Sequence, residues 1–226
     1  GNYDLAIRYC EQALKLVTDG WDAERFAKGI LGCLWYFLGD YGRAKPYLEG
    51  ELAIVQQLQH WGGECGARIE LGCLHLGMGD YVNAQIHFER ALQLCRENDA
   101  KQQYRVKLEG HLARFYLLTE DMTRAAVHGE AAISFARKLN DPRIQGDAFT
   151  RYGRVLVSQG KLIEAAELFQ QALACFRRME QWNHATMPQA GLAEIALRQN
   201  DPEQARHWLE PILTHLQTQQ LDRTDE

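Results

Sequence analysis

The sequence repeats one short turn motif at intervals of about forty residues. The stretch "LGDYGRA" at residues 38–44 returns as "MGDYVNA" at 78–84, and a divergent copy, "NDPEQARHW", starts at residue 200. An alanine follows each copy of the turn, at Ala6, Ala44, Ala84, Ala125, Ala165 and Ala205. The spacings between these alanines are 38, 40, 41, 40 and 40 residues. A regular period of this size is typical of a chain built from stacked structural repeats.

Apolar residues between the turns recur at helical spacing. A first helix is predicted at about 21–38, with Ala27, Leu31, Leu34, Trp35 and Leu38 on one stripe, and a second at about 41–58, with Ala44, Leu48, Leu52 and Val55. Later units repeat this pair without strand-like alternation, so we expect bends at 39–41, 79–81, 119–122, 159–161 and 199–202. Pro142 and Pro202 suit the first turn of a helix. Pro46, Pro188 and Pro211 predict helices that kink or start late.

The residues around each turn resemble the tetratricopeptide repeat (TPR) signature. Two units carry Leu-Gly, an aromatic or His, a Gly-Asp-Tyr turn and Ala, as in Leu71, Gly72, His75, Tyr81 and Ala84. Small residues at two columns would let paired helices approach closely, at Gly32, Gly72, Ala113, Gly153 and Ala193 and at the five alanines from Ala44 to Ala205. The long repeats are similar to those of kinesin light chains, of spindle-orientation adaptors and of sensor regions in bacterial signal-transduction ATPases related to the maltose activator.

This resemblance implies an all-α, right-handed α-α superhelix of about five and a half helical hairpins. We expect one solenoid domain over 1–226, with a half repeat at 1–20 and repeats at about 21–60, 61–100, 101–140, 141–180 and 181–220. Because the first helix has no partner before it, we expect the chain to be part of a larger protein, with a first helix that is itself the cap of the solenoid as the alternative.

Composition excludes some functions. The formal charge of −5 and the pI near 5.9 argue against direct nucleic-acid binding, which needs a broad basic surface. No segment is long and apolar enough to predict a membrane span or a signal peptide. The six cysteines form no CxxC pair, which indicates a reducing, cytoplasmic compartment.

No arrangement of residues predicts catalysis. The sequence lacks a phosphate-binding loop, GxSxG and HExxH, so we expect no enzyme activity, cofactor or metal. The eight histidines are scattered, and His75 occupies the aromatic position of its repeat, which favours a packed core residue.

The resemblance instead implies binding at a concave groove built from the first helices. The residues predicted to line it are apolar or aromatic at one end and basic in the middle: Phe26, Tyr36, Phe37, Lys107, His111, Arg114, Arg151, Arg154 and Glu194. Cys33, Glu70, Cys73 and Asp147 flank the same columns. Arginines there could hold a carboxylate or phosphate, or they could pair with Glu70, Glu109, Asp147 and Glu194 in a structural network.

The leading hypothesis is a protein-interaction or sensor module that binds a peptide segment of a partner or of its own parent chain, with acidic residues in that segment. Two alternatives remain: a small-molecule sensor for an anionic ligand within a regulator, and a scaffold that forms homo-oligomers through the first helix.

Overall fold

The protein is all-α throughout the part of the chain that the computed structural model describes. Those residues are 3–16, 21–98, 102–179 and 182–224, without the side chains of residues 182–183 and 215–224. Their helices, in chain order, are α1 (Tyr3–Leu16), α2 (Trp21–Phe37), α3 (Tyr41–Gln57), α4 (Trp61–Gly77), α5 (Tyr81–Glu97), α6 (Gln102–Leu118), α7 (Met122–Arg137), α8 (Pro142–Ser158), α9 (Leu162–Arg177), α10 (Trp182–Arg198) and α11 (Pro202–Thr224). The predicted helical hairpins and the positions of their bends are confirmed.

Five bends share one backbone geometry. The second residue after each first helix has a positive φ, at Gly39, Gly79, Glu120, Gly160 and Asn200. The next residue donates its backbone N–H to a carbonyl five positions earlier, as Asp40 does to Trp35 at 2.9 Å and Asp80 to His75 at 2.9 Å. Glycine adopts the left-handed region at no steric cost, which explains its use in three of these turns.

Aspartates begin most of the second helices. The side chains of Asp40, Asp80, Asp121 and Asp201 accept hydrogen bonds from backbone N–H groups three residues later, at 2.9–3.1 Å. Lys161 holds the same position before α9 and makes no such bond. A side-chain acceptor satisfies an N–H that the first helical turn leaves without a partner.

Small residues let helices of a pair meet closely. A Cβ added at Gly72 would lie 2.5 Å from Phe88, and one at Gly153 would lie 2.7 Å from Phe169. Both phenylalanines are fully buried. The alanines of the opposing column, from Ala44 to Ala205, are at most 3% exposed. The small-residue columns predicted from the repeats are therefore confirmed.

The chain divides into two compact units, Gly1–His111 and Leu112–Glu226. In unit 1 a core cluster forms around Leu48, Leu71 and Leu74, with Tyr36 and Tyr41 packed against it. In unit 2 the largest cluster surrounds Phe149, Val155, Phe169 and Phe176, among others. Each unit therefore has its own apolar interior.

Proline is predicted to kink three helices or to make them start late, and the second of these alternatives is wrong. Pro46, Pro188 and Pro211 all lie inside their helices, and α3 already begins at Tyr41. Proline removes one backbone hydrogen bond, whereas α3 buries Ala44 and Leu48 on either side of Pro46. Packing of the helical stripe therefore outweighs the missing bond.

Within the described residues, no helix combines the length and apolar character that crossing a membrane requires.

Candidate functional site

Apart from Tyr36, the residues predicted to bind in unit 1 lie on stripes of three first helices. Positions four, seven and eleven residues apart share one side of a helix. The stripe on α2 holds Phe26, Ile30, Cys33 and Phe37, that on α4 holds Gly66, Glu70 and Cys73, and that on α6 holds Lys107 and His111. Side-chain contacts join the stripes, and we call this set the α2–α4–α6 face.

A line of polar contacts crosses this face. The Cys33 thiol donates to Glu70 Oε2 at 3.1 Å, and the Lys107 ammonium donates to Glu70 Oε1. Burial and the adjacent Glu70 carboxylate raise the pKa of the Cys33 thiol. Glu70 thus links α2 to α6 through its two oxygens, and Cys33 stays a neutral hydrogen-bond donor.

A carboxylate from a second helix also approaches this face. Gly29 on α2 leaves room for Glu51 of α3, whose Oε2 would lie 2.7 Å from a Cβ at that glycine. Burial, reinforced by the nearby Glu70 charge, raises the pKa of Glu51 to about 7. The Arg25 guanidinium, 3.9 Å from Glu51 Oε1, only partly offsets this effect. A carboxyl group that changes charge near neutral pH beside a binding surface is a candidate functional group.

The α2 stripe exposes apolar and aromatic surface. Phe26 is 57% exposed, Ile30 48% and Phe37 70%. The Arg25 guanidinium lies over one face of the Phe26 ring, 3.9 Å from the ring centre. On α4, Gly66 leaves open space, since nothing lies within 4 Å of where its Cβ would be.

A thiol and an imidazole form the second contact between α4 and α6. Cys73 Sγ lies 3.0 Å from His111 Nδ1, and both residues are buried, at 4% and 8% exposure. The His111 ring stacks on Phe88, with centroids 6.4 Å apart. His111 is thus a packed residue with a polar contact rather than an open surface group.

Unit 2 holds the other predicted binding residues. Arg114 and Arg154 are exposed, and Arg151 is half-buried. Asp147 Oδ1 lies 3.9 Å from His184 Nδ1. Burial raises the pKa of Asp147, although the charges of Arg151 and His184 act in the opposite direction.

Glu194 belongs to a local ion pair in unit 2. Arg198 donates to Glu194 Oε1 at 2.7 Å and to the Val157 carbonyl at 3.1 Å. Two of the predicted acidic partners are therefore paired with bases other than Arg114 and Arg154: Glu194 with Arg198, and Glu70 with Lys107.

Sequence reasoning and structure agree on some of these residues and differ on others. Phe26 and Phe37 are exposed on one stripe as expected, whereas Tyr36 packs between Phe37 and Tyr41, with centroids 5.5 and 5.9 Å away. Glu51 was missed because it comes from a second helix. The glycine at position 29, within an otherwise regular helix, is the sequence signal that could have indicated a close approach there.

His75 is confirmed as a core residue. It is 6% exposed, its Nδ1 lies 3.0 Å from Asp80 Oδ2, and its ring stacks on His87 at 5.4 Å. Among the described residues, no three His, Cys, Asp or Glu side chains are grouped so that they could hold a metal ion.

These helical hairpins, with their small-residue columns and repeated turns, define a TPR-type fold. The family model of the MalT-like TPR region matches residues 1–224, so the chain belongs to this family. No curated protein sequence matches the chain.

Solved structures with the same fold include proteins from signalling systems. The Rap protein complexed with Competence and Sporulation Factor aligns with a TM-score of 0.77 and 15% identity, over 92% of this chain and 57% of Rap. NprR in complex with its cognate peptide NprX aligns with a TM-score of 0.67 and 12% identity, over 92% and 65%. A STAND-type signal transduction ATPase with a TPR sensor, from Pyrococcus horikoshii, aligns with a TM-score of 0.65 and 15% identity, over 96% and 33%. The chain thus spans between a third and about two thirds of these proteins.

Proposed function

We propose that this chain is a non-catalytic binding module that takes up an extended peptide segment on the α2–α4–α6 face. The segment belongs to a partner protein or to the parent chain. The observation that carries the proposal is the exposed stripe of Phe26, Ile30 and Phe37 beside the polar line through Glu70. Apolar surface rimmed by polar groups is typical of a protein interaction site.

The two parts of the face have different roles in this proposal. The aromatic side chains on α2 supply most of the affinity, because large apolar anchors dominate interfaces. Glu70, Lys107 and Glu51 supply hydrogen-bonding groups that fix the position of the peptide backbone. NprR, which has the same fold and was solved in complex with its cognate peptide NprX, supports a peptide as the occupant.

Basic residues form a separate candidate surface within unit 2. Arg114, Arg151 and Arg154 favour acidic residues in a segment bound there, since a guanidinium holds a carboxylate with two parallel hydrogen bonds. The six free cysteines are consistent with a reducing, cytoplasmic location.

The test is selection from a randomised peptide library on the full chain, followed by titration of the selected peptides in fluorescence anisotropy. Ile30→Ser and Phe37→Ser are expected to weaken binding at least about tenfold each, as loss of an interface anchor does. Val82→Ser and Ile163→Ser are matched controls, because these residues are 71% and 75% exposed on second helices. They should leave the affinity unchanged.

Other outcomes would contradict the proposal. Equal losses in all four variants would mean that binding is nonspecific. A library that yields no binders, together with a concentration-dependent dimer detected by sedimentation, would favour the scaffold that assembles through α1. Saturable binding of inorganic phosphate or a dicarboxylate without peptide binding would favour the small-molecule sensor.

A further inference from the structure

Two cysteines at equivalent repeat positions face different chemical groups. Cys33 and Cys73 occupy equivalent positions forty residues apart, on α2 and α4. Cys33 donates to a carboxylate, Glu70 Oε2. Cys73 instead faces an imidazole nitrogen, His111 Nδ1, at 3.0 Å. An adjacent carboxylate opposes ionisation of a thiol, whereas an adjacent base accepts its proton.

Two contacts orient the His111 ring. It stacks on the buried Phe88 ring, with an angle of 13° between the planes, and its Nδ1 points at Cys73. With the ring proton on Nε2, Nδ1 is the acceptor and the thiol is the donor. A thiol and an imidazole in hydrogen-bond contact are the geometry of an activated cysteine.

Groups of both charges lie near the Cys73 thiol. The Lys107 ammonium acts electrostatically on both Cys73 and Cys33. Its own partner, Glu70, lies one turn before Cys73 on α4, and Glu51 of α3 lies beyond Glu70. Two basic side chains of α6, Lys107 and His111, therefore lie near Cys73, and the nearby carboxylate of Glu70 already binds Lys107.

A small reagent can approach from the α2–α4–α6 face. Cys73 itself is 4% exposed, but the side chains next to it are long and partly solvated: that of Lys107 is 45% exposed and that of Glu70 is 25% exposed. The modification proposed below requires that a movement of these side chains uncover the thiol.

We propose that Cys73 is a modification site for small disulfides of the glutathione type. His111 Nδ1 takes the proton from Cys73 Sγ, and the thiolate attacks one sulfur of the disulfide. The reagent's S–S bond breaks as the new bond to Cys73 forms, and the leaving thiolate takes the proton from His111. Cys73 is oxidised to a mixed disulfide, and the other half of the reagent is reduced to a thiol. This chemistry is independent of the proposed peptide binding.

The test uses glutathione disulfide on the folded full chain, with acid quenching and mass spectrometry of each cysteine-containing peptide. An ordinary thiol reacts about eightyfold more slowly at pH 6 than at pH 8, because its thiolate fraction falls by that factor. We expect the Cys73 rate to fall less than about tenfold over this range. Cys10 and Cys33 are the internal references, since burial raises the pKa of both thiols.

Variants separate the role of the imidazole from general access. His111→Phe keeps a ring against Phe88 but removes the nitrogen, so the Cys73 rate at pH 6 should fall at least about tenfold. His128→Phe is the matched control, because His128 stacks on Tyr116 in unit 2 with centroids 5.1 Å apart. It should leave the Cys73 rate unchanged, and Cys73→Ser should abolish that adduct alone.

Two results would overturn the proposal. The first is a Cys73 that forms the adduct in urea but not in the folded chain, which would mean that burial protects it. The second is an eightyfold fall in the Cys73 rate between pH 8 and pH 6. Both are measured on the unaltered protein, so they decide the matter even if His111→Phe does not fold.

Discussion

At the scale of single residues, the glycines of α4 have opposite roles. Gly72 lies where α4 meets α5, so that a Cβ would lie within 2.5 Å of the buried Phe88 ring. Gly66, on the same helix, faces open space on the α2–α4–α6 face. Glycine is unfavourable within a helix, and only packing at Gly72 compensates for it.

Gly72→Ala is therefore expected to destabilise the protein by about 1–3 kcal/mol, because the added methyl group overpacks a rigid contact. Gly66→Ala is the matched control, and it should stabilise by about 0.5–1 kcal/mol through helix propensity alone. Urea unfolding followed by circular dichroism measures both. Equal free energies of unfolding for the two variants would show that the Gly72–Phe88 contact is not tight.

Glu51 predicts a pH dependence of stability. Burial raises the pKa of this carboxyl to about 7 from its ordinary value of 4.5. The folded state therefore holds the proton more tightly than the unfolded chain, and stability falls as the pH rises from about 4.5 to about 7. Glu51→Gln removes this loss, so it should stabilise by about 2–3 kcal/mol at pH 8 and by almost nothing at pH 4.

Chemical unfolding at the two pH values measures that difference. Glu49→Gln, an exposed change on the same helix, should show no such pH-dependent gain. A Glu51→Gln variant whose stability differs from the parent equally at pH 4 and pH 8 would contradict the raised pKa.

At the scale of the helices, α9 lacks the side-chain cap that α3, α5, α7 and α11 have. The backbone of Lys161, at φ −81° and ψ 63°, closely matches that of the capping residue Asp80, at φ −85° and ψ 76°. Only the side-chain acceptor is missing at position 161.

Lys161→Asp should stabilise the protein by about 1 kcal/mol, because its carboxylate can accept the Glu164 N–H and interacts favourably with the helix N-terminus. Lys161→Ala removes the same charge without supplying an acceptor and should give no comparable gain. Melting temperatures of the two variants that agree within error would mean that the backbone match is not sufficient for capping.

At the scale of the whole molecule, the protein carries a net negative charge, yet its candidate binding residues include exposed arginines. The formal charge is −5, and Arg114 and Arg154 are exposed in unit 2. If these arginines meet acidic residues of a bound peptide, their local position matters more than the net charge, since salt screens charges that lie further apart than about 10 Å.

Arg114→Ala combined with Arg154→Ala should leave the helical content intact, weaken binding of a selected acidic peptide and flatten its salt dependence. Arg137→Ala combined with Arg177→Ala changes the net charge equally, through exposed arginines on the second helices α7 and α9, and should have little effect. Anisotropy titrations at low and high salt compare the two. The same loss of affinity in both double variants would mean that net charge, rather than a site, attracts the peptide.

The sequence by itself determined the helices, their bends and the close contacts between them. The forty-residue period, the capping aspartates and the turn glycines act within a few residues of chain, so their consequences can be derived locally. The small-residue columns at Gly72 and Ala84 were equally readable, because a repeated small residue indicates a repeated close approach.

Only the tertiary structure decided how the side chains of the candidate site are paired. Helical spacing placed Glu70, Cys73, Lys107 and His111 on stripes, but it did not show that Glu70 binds Lys107 or that His111 meets Cys73. Nor did it show that Glu51 reaches the α2–α4–α6 face past Gly29. The stripe follows from local helix geometry, whereas each pairing depends on the rotation and distance of helices about forty residues apart, which the packing of the whole unit sets.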